Sequence, residues 1–165
     1  MAKEPRSLQG KVVAITGGAR GIGRATARAL AAEGAKVALG DLDKPLAEEA
    51  AAELGTEAVG LALDVTERDS FARFLDQVAE RLGPLDVLIN NAGIMPIGRF
   101  VDEDDATARR MVDINLHGVI YGMKRPSRGC RSEAAATSST WRPRRVRRGF
   151  PAAPPTARPS TRSWG

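Results

Sequence analysis

Four short runs rich in Val, Ile and Leu recur along the first 124 residues: "KVVAIT" (11–16), "KVALG" (36–40), "EAVGLAL" (57–63) and "LDVLIN" (85–90). Each is strand-length, and the stretches between them carry helical period. Strands alternating with helices imply a parallel sheet, because a parallel partner is reached only through a crossover and a helix supplies it. The runs are apolar at successive positions, so both faces of that sheet must be covered by helices. Helices are expected over about 21–33, 44–54, 67–82 and 103–123, with Gly34, Gly55 and the pair Gly83-Pro84 marking the ends of the first three. The fold class is therefore α/β, a parallel sheet with helices on both faces.

At the junction of the first strand and first helix stands "TGGARGIG", residues 16–23. Gly17 permits a tight turn, Gly21 removes a side chain that would keep a pyrophosphate from the backbone, and Gly23 allows helix and strand to pack closely. Arg20 and Ile22 sit between these glycines, and the free amides of the helix's first turn face the phosphates. The bland alternative is an ordinary strand-to-helix turn. Asp41, which closes the second strand 18 residues beyond Gly23, weighs against that. An acid there can accept hydrogen bonds from both hydroxyls of an adenosine ribose, and it repels a 2′-phosphate, so NAD is expected over NADP. Arg20 could point the other way or simply be solvated, and Asp41 could instead cap the next helix. Taken together the pattern is Rossmann-like.

With "DV" (Asp64, Val65) after the third strand, "NNAG" (Asn90 to Gly93) after the fourth and "INLHG" in the fourth helix, the body resembles the short-chain dehydrogenase/reductases over residues 10–124. That resemblance implies a doubly wound parallel sheet with strand order 3-2-1-4, and an oxidoreductase moving hydride between NAD and a small alcohol/carbonyl substrate. It implies that Asp64 and Val65 hold the adenine, that Asn91, Ala92 and Gly93 lie along the cofactor, and that Asn115 is the asparagine of a catalytic tetrad, helping to hold a water in a proton relay. Taken alone, Asn115 could be a polar residue that bends its helix. His117, the single histidine, is two residues from Asn115 and so on another face of the helix; it is not expected to act as a base. The "DEDD" run, Asp102 to Asp105, complements a helix dipole, and no metal is expected.

The rest of that tetrad is a serine, a tyrosine thirteen residues later and a lysine four after that, in which the lysine lowers the tyrosine's pKa so that its phenolate takes the alcohol proton. Here the one tyrosine, Tyr121, precedes Lys124 by three residues and lies on the wrong helix. After Lys124 the pattern stops. Residues 1–124 hold 15 Lys/Arg against 19 Asp/Glu, whereas residues 125–165 hold ten Arg, one acid (Glu133), six of the ten prolines and both tryptophans. A displaced reading frame accounts for the change. "ATSSTW" (136–141) can be encoded so that the frame shifted by one base reads Gly-His-Ile-Val-Asn-Val, a fifth strand of the family. Further on, a hidden Ser can straddle Arg142 and Pro143, a hidden Tyr Pro155 and Thr156, and a hidden Lys Pro159 and Ser160, which reproduces the separations of thirteen and four. The genetic code permits this reading, and the nucleotide sequence decides it. The alternative is a genuine basic, proline-rich extension; in either case too few apolar residues remain for a packed structure.

The expected organisation is an N-terminal extension (1–9), an incomplete NAD(P)-binding domain (10–124) cut short after the fourth strand and fourth helix, and a basic tail (125–165). The lone Cys130 excludes an internal disulfide framework, and no run approaches the ~18 apolar residues needed to cross a bilayer. A cytoplasmic protein is expected, with no membrane partner. The arginine tail, with Trp141 and Trp164 available for stacking, offers a second reading as a non-catalytic nucleotide- or nucleic-acid-binding protein. Nucleic acid is the less expected partner, since GC-rich coding sequence read out of frame yields arginine and proline anyway. The family forms homo-oligomers through its fourth and fifth helices, and the fifth is missing from the pattern here. These 165 residues are expected to be catalytically inactive by themselves.

Overall fold

The computed structural model describes residues 7–124. The basic tail and the displaced-frame reading lie outside the described residues. Strands β1 (Val12–Thr16), β2 (Lys36–Asp41), β3 (Ala58–Ala62) and β4 (Val87–Ile89) form one parallel sheet, as the strand-helix alternation required, in the order β3-β2-β1-β4 that the resemblance implied. Val13 pairs with Val37 on one side and Val87 on the other. The chain thus winds outward from β1 to β3, then returns to the far side of β1. Reversal of winding leaves a crevice beyond the carboxyl ends of β1 and β4, the usual ligand position in such sheets.

Every residue of β1 is buried, and successive side chains enter opposite cores. Val12 and Ala14 join Ala38, Leu61, Phe71, Phe74 and Val78 on the face covered by α3 (Arg68–Leu82). Val13 and Ile15 join Val37, Leu39, Ala27, Ala47 and Ala50 on the face covered by α1 (Gly21–Ala32) and α2 (Lys44–Ala52). The alanines let α2 lie close to the sheet: a Cβ at Gly60 of β3 would stand 2.3 Å from the Ala47 carbonyl carbon. Glu53, just past α2, accepts hydrogen bonds from Arg24 and Arg28 of α1, and these hold its carboxyl below the usual range. Gly34, Gly55 and Gly83 all have positive φ beyond the ends of the first three helices, as their placement in the sequence implied.

The fourth helix is not the single element expected over 103–123. A 3-10 turn (Phe100–Asp102) leads to α4 (Asp105–Val112), then a π-helical segment (Asp113–Gly118), then α5 (Val119–Lys124). The start moves inward because Asp104 remains outside as the cap: its Oδ1 accepts from the Thr107 amide at 2.8 Å. That amide, and after it the Thr107 hydroxyl, hold the Asp104 carboxyl below its ordinary value. The wide turn coincides with Asn115, whose side chain bonds away from its own helix, and with Gly118, where a Cβ would come within 2.9 Å of Val65.

β4 is the thinnest part of the sheet, three residues long and half-buried throughout, and among the described residues no strand pairs with its outer edge. Asp86 secures its entry. Its Oδ2 accepts from the Val12 amide at 2.9 Å, its own amide donates to the Val12 carbonyl at 2.9 Å, and Lys11 Nζ lies 2.8 Å from Oδ1. Burial acts to raise the Asp86 pKa, but the hydrogen bonds from Lys11 and Val12 outweigh it and the carboxyl is held below its usual value. A folded pKa lower than the unfolded one stabilises the fold above about pH 4. That contribution disappears as pH falls through the folded value. Asp86→Ala is therefore expected to lower unfolding stability by about 1–2 kcal/mol at pH 7. In urea titrations its deficit relative to wild type should shrink below pH 4, and a deficit that does not change with pH would refute this role.

Candidate functional site

The loop between β1 and α1 shows why its glycines are spaced as they are. Gly17 has φ +64°, and a Cβ there would stand 2.8 Å from the Cα of Ala92. Gly21 has φ +55° and nothing within 4 Å of where its Cβ would be, so the backbone turns onto open space. A Cβ on Gly23 would lie 2.2 Å from the Gly17 carbonyl oxygen, so helix and loop are in contact there. α1 begins with no side-chain cap and no acid in its first turn, whereas Asp43 caps α2 and Asp104 caps α4. Its first amides therefore present the positive end of the helix dipole to whatever occupies the crevice.

Thr16, absent from the residues expected from sequence, joins this loop to β4. It is 1% exposed, and its Oγ1 accepts from the amides of Asn91 at 3.0 Å and Ala92 at 2.9 Å. Asn91 returns the contact, Nδ2 donating at 3.0 Å to the carbonyls of both Thr16 and Gly17. The available signal was a polar residue closing an otherwise wholly apolar strand.

At the end of β2, Asp41 Oδ2 accepts from the Ala19 amide at 3.1 Å and Oδ1 from the Asp43 amide at 3.2 Å. It is not the cap of α2; Asp43 is, accepting from the Leu46 amide at 3.2 Å. Arg20, left open between a phosphate-reading and a solvated role, is ion-paired to Asp43 at 2.8 Å. Asp64 is fixed by the amide and hydroxyl of Thr66, at 2.9 and 2.7 Å on Oδ1, while its own amide donates to the Ser70 hydroxyl.

These groups border one cleft of about 720 Å³, inside the roughly 300–1,000 Å³ range of ligand pockets. Gly17, Arg20, Ile22, Asp41, Asp64, Val65, Asn91, Ala92 and Gly93 all line it. Gly21 and Gly23 shape the loop without lining the cleft. Asn115 acts one residue removed: its Oδ1 accepts from the Ile94 amide at 2.9 Å and its Nδ2 donates to the Ile94 carbonyl at 2.8 Å, and Ile94 is on the wall. Both ends of the carboxamide are thus occupied in bracing backbone. Arg110 and Ile114 also line the cleft and were not foreseen. Their i,i+4 spacing on the helix that carries Asn115 was the sequence signal. Ile22 is 79% exposed and Leu42 69%, and together they form an apolar rim on the cleft.

Neither His117 nor Tyr121 lines the cleft. His117 pairs with Asp113 at 2.9 Å, and Tyr121 packs against the α3-side core with the Arg68 guanidinium 4.6 Å above its ring. Among the described residues no helix is long and apolar enough to cross a membrane.

A family model described as short chain dehydrogenase matches residues 11–133, running past Lys124. The chain is 40% identical over 121 residues to a sorbitol dehydrogenase of Cereibacter sphaeroides, covering 73% of this chain and 47% of that protein. It is 42% identical over 117 residues to a 3-alpha-(or 20-beta)-hydroxysteroid dehydrogenase of Mycobacterium tuberculosis, covering 71% and 45%. Among solved structures, a 3-ketoacyl-(acyl-carrier-protein) reductase from Brucella melitensis complexed with NADH superposes with a TM-score of 0.67 at 34% identity, covering 70% of this chain and 48% of that one. The chain spans about half the length of the curated relatives it matches.

Proposed function

Because the chain belongs to the short-chain dehydrogenase family, whose members are oxidoreductases, we propose that its cleft binds NAD in preference to NADP and that these 165 residues by themselves catalyse no turnover. The observation that carries the binding reading is Asp41, held by two backbone amides on the cleft wall beside the uncapped start of α1. Its carboxylate suits the two hydroxyls of a ribose and repels a phosphate on the same sugar. The open space at Gly21 suits a diphosphate approaching the backbone. When bound, NAD supplies the hydride acceptor. Of this chain's own residues, the first turn of α1 binds the diphosphate, Asp41 orients the ribose, and Asp64 with Val65 forms the wall for adenine. Asn91 with Gly93 lines the path beyond, and Asn115 holds the Ile94 backbone and takes the tetrad asparagine's place.

The substrate class is a small alcohol/carbonyl pair. Among the described residues no tyrosine reaches the cleft to move a proton to or from it: the single tyrosine of the sequence, Tyr121, lies under Arg68 outside the cleft. We attribute this to a displaced frame after Lys124, with residues 10–124 as the cofactor-binding part.

Calorimetric titration of the folded chain tests the binding reading. NAD is expected to give heat, NADP less, and Asp41→Ala to weaken NAD roughly tenfold to a hundredfold through loss of charge-assisted hydrogen bonds. No heat from NAD sinks the reading. Nicotinamide reduction with a panel of secondary alcohols is expected to be undetectable for this chain and measurable once the alternative frame is restored. Turnover by the chain as it stands would overturn the claim of inactivity.

A further inference from the structure

We propose that Asp43 is a specificity-determining residue: by ion-pairing Arg20 across the rim of the cleft, it keeps that guanidinium from serving a 2′-phosphate. The inference rests on the NAD reading above and adds a second device to Asp41.

Arg20 lies in the glycine loop, on the wall of the cleft that also carries Asp41. A guanidinium is a fork of donors whose geometry matches a phosphate, and an arginine near the ribose end of such clefts accommodates the extra phosphate of NADP. Arg20 by itself would thus weaken the discrimination that Asp41 provides. Asp43 divides its two oxygens to prevent this. Oδ1 accepts from the Leu46 amide at 3.2 Å and caps α2, while Oδ2 accepts from Arg20 Nη2 at 2.8 Å. The Asp43 amide in turn donates to Asp41 Oδ1 at 3.2 Å, and Asp41 Oδ2 accepts from Ala19, the residue before Arg20. The glycine loop and the turn after β2 are therefore closed into one hydrogen-bonded ring whose only cation is already neutralised. Both side chains are open to solvent, 66% for Arg20 and 47% for Asp43, and ion pairs so exposed add little to stability. The consequence of this one is where it places charge.

The test uses the full 165-residue chain and the ratio of NADP to NAD dissociation constants, measured by calorimetry at fixed salt. Asp43→Asn and Asp43→Ser both keep a good helix cap while removing the charge. Each is expected to leave NAD affinity within about twofold and to lower the ratio about fivefold, equivalent to about 1 kcal/mol, the upper end of what so exposed an ion pair can withhold. Combined with Arg20→Gln, neither should change the ratio more than about twofold, because the effect acts through Arg20. An unchanged ratio in both single variants overturns the proposal, as does a fall of equal size with Arg20 removed. Absence of NAD heat from the wild type would instead sink the nucleotide reading, and this inference with it; NAD heat with an unchanged ratio sinks this inference alone.

Discussion

A Gly23→Ala chain is expected to bind NAD roughly a hundredfold more weakly than wild type, a loss of about 2.7 kcal/mol. The added methyl would sit 2.2 Å from the Gly17 carbonyl oxygen and 2.7 Å from Asn91 Nδ2. Neither can step aside, since they are hydrogen-bonded to each other at 3.0 Å and Asn91 is also bound to Thr16. Relief must come from α1 moving off the loop, which displaces the first-turn amides from the diphosphate. Overpacking of this kind also costs about 1–3 kcal/mol of folding stability. Gly98→Ala is the control: a Cβ there meets nothing within 4 Å, and both NAD affinity and the urea midpoint are expected to stay at wild-type values. Wild-type NAD affinity in Gly23→Ala would show that the close contact of helix and loop does not matter for binding.

Thr16→Val is expected to cost about 2–4 kcal/mol of unfolding free energy, with Thr16→Ser costing about 1. Valine keeps the shape but removes the oxygen that accepts from the Asn91 and Ala92 amides, leaving two donors without their partner. Serine keeps the oxygen and loses only a methyl group. Because β4 pairs with the sheet through three residues and has no described strand on its other side, this oxygen carries an unusual share of the link between β1 and β4. Net stabilities of single domains are about 5–15 kcal/mol, so the valine variant is also expected to aggregate more readily. Equal urea midpoints for the valine and serine variants would remove the hydroxyl from this role.

Most of the fold was legible because its determinants are local. The apolar runs mark strands buried on both faces, and Gly34, Gly55 and Gly83 mark helix ends because each needs a positive φ. The fourth helix was less legible. Its π-helical turn falls where Asn115 bonds to Ile94, 21 residues away, and where Gly118 lies close to Val65, and no periodicity over 103–123 encodes either. The cleft divides in the same way. Gly17, Asp41, Asp64 and Asn91 declared themselves by motif and by position at strand ends, and all four line it. Thr16 did not, since its function consists of two amides 75 and 76 residues distant. Arg110 on α4 and Ile114 on the π-helical segment had only their i,i+4 spacing as a signal, and it is the placement of those two segments that brings them to the wall.

The sequence alone determined a parallel sheet covered on both faces, a glycine turn at the end of β1 and an acid closing β2, since each follows from the chemistry of neighbouring residues; the order β3-β2-β1-β4 came with the family resemblance. It also located the change of character after Lys124. Only the tertiary structure decided that Arg20 is paired, that Asp43 rather than Asp41 caps α2, and that Asn115 braces the Ile94 backbone. Those outcomes depend on which loops meet above the carboxyl ends of the strands, and hydrogen-bond partners brought together by folding leave no periodic trace in the chain.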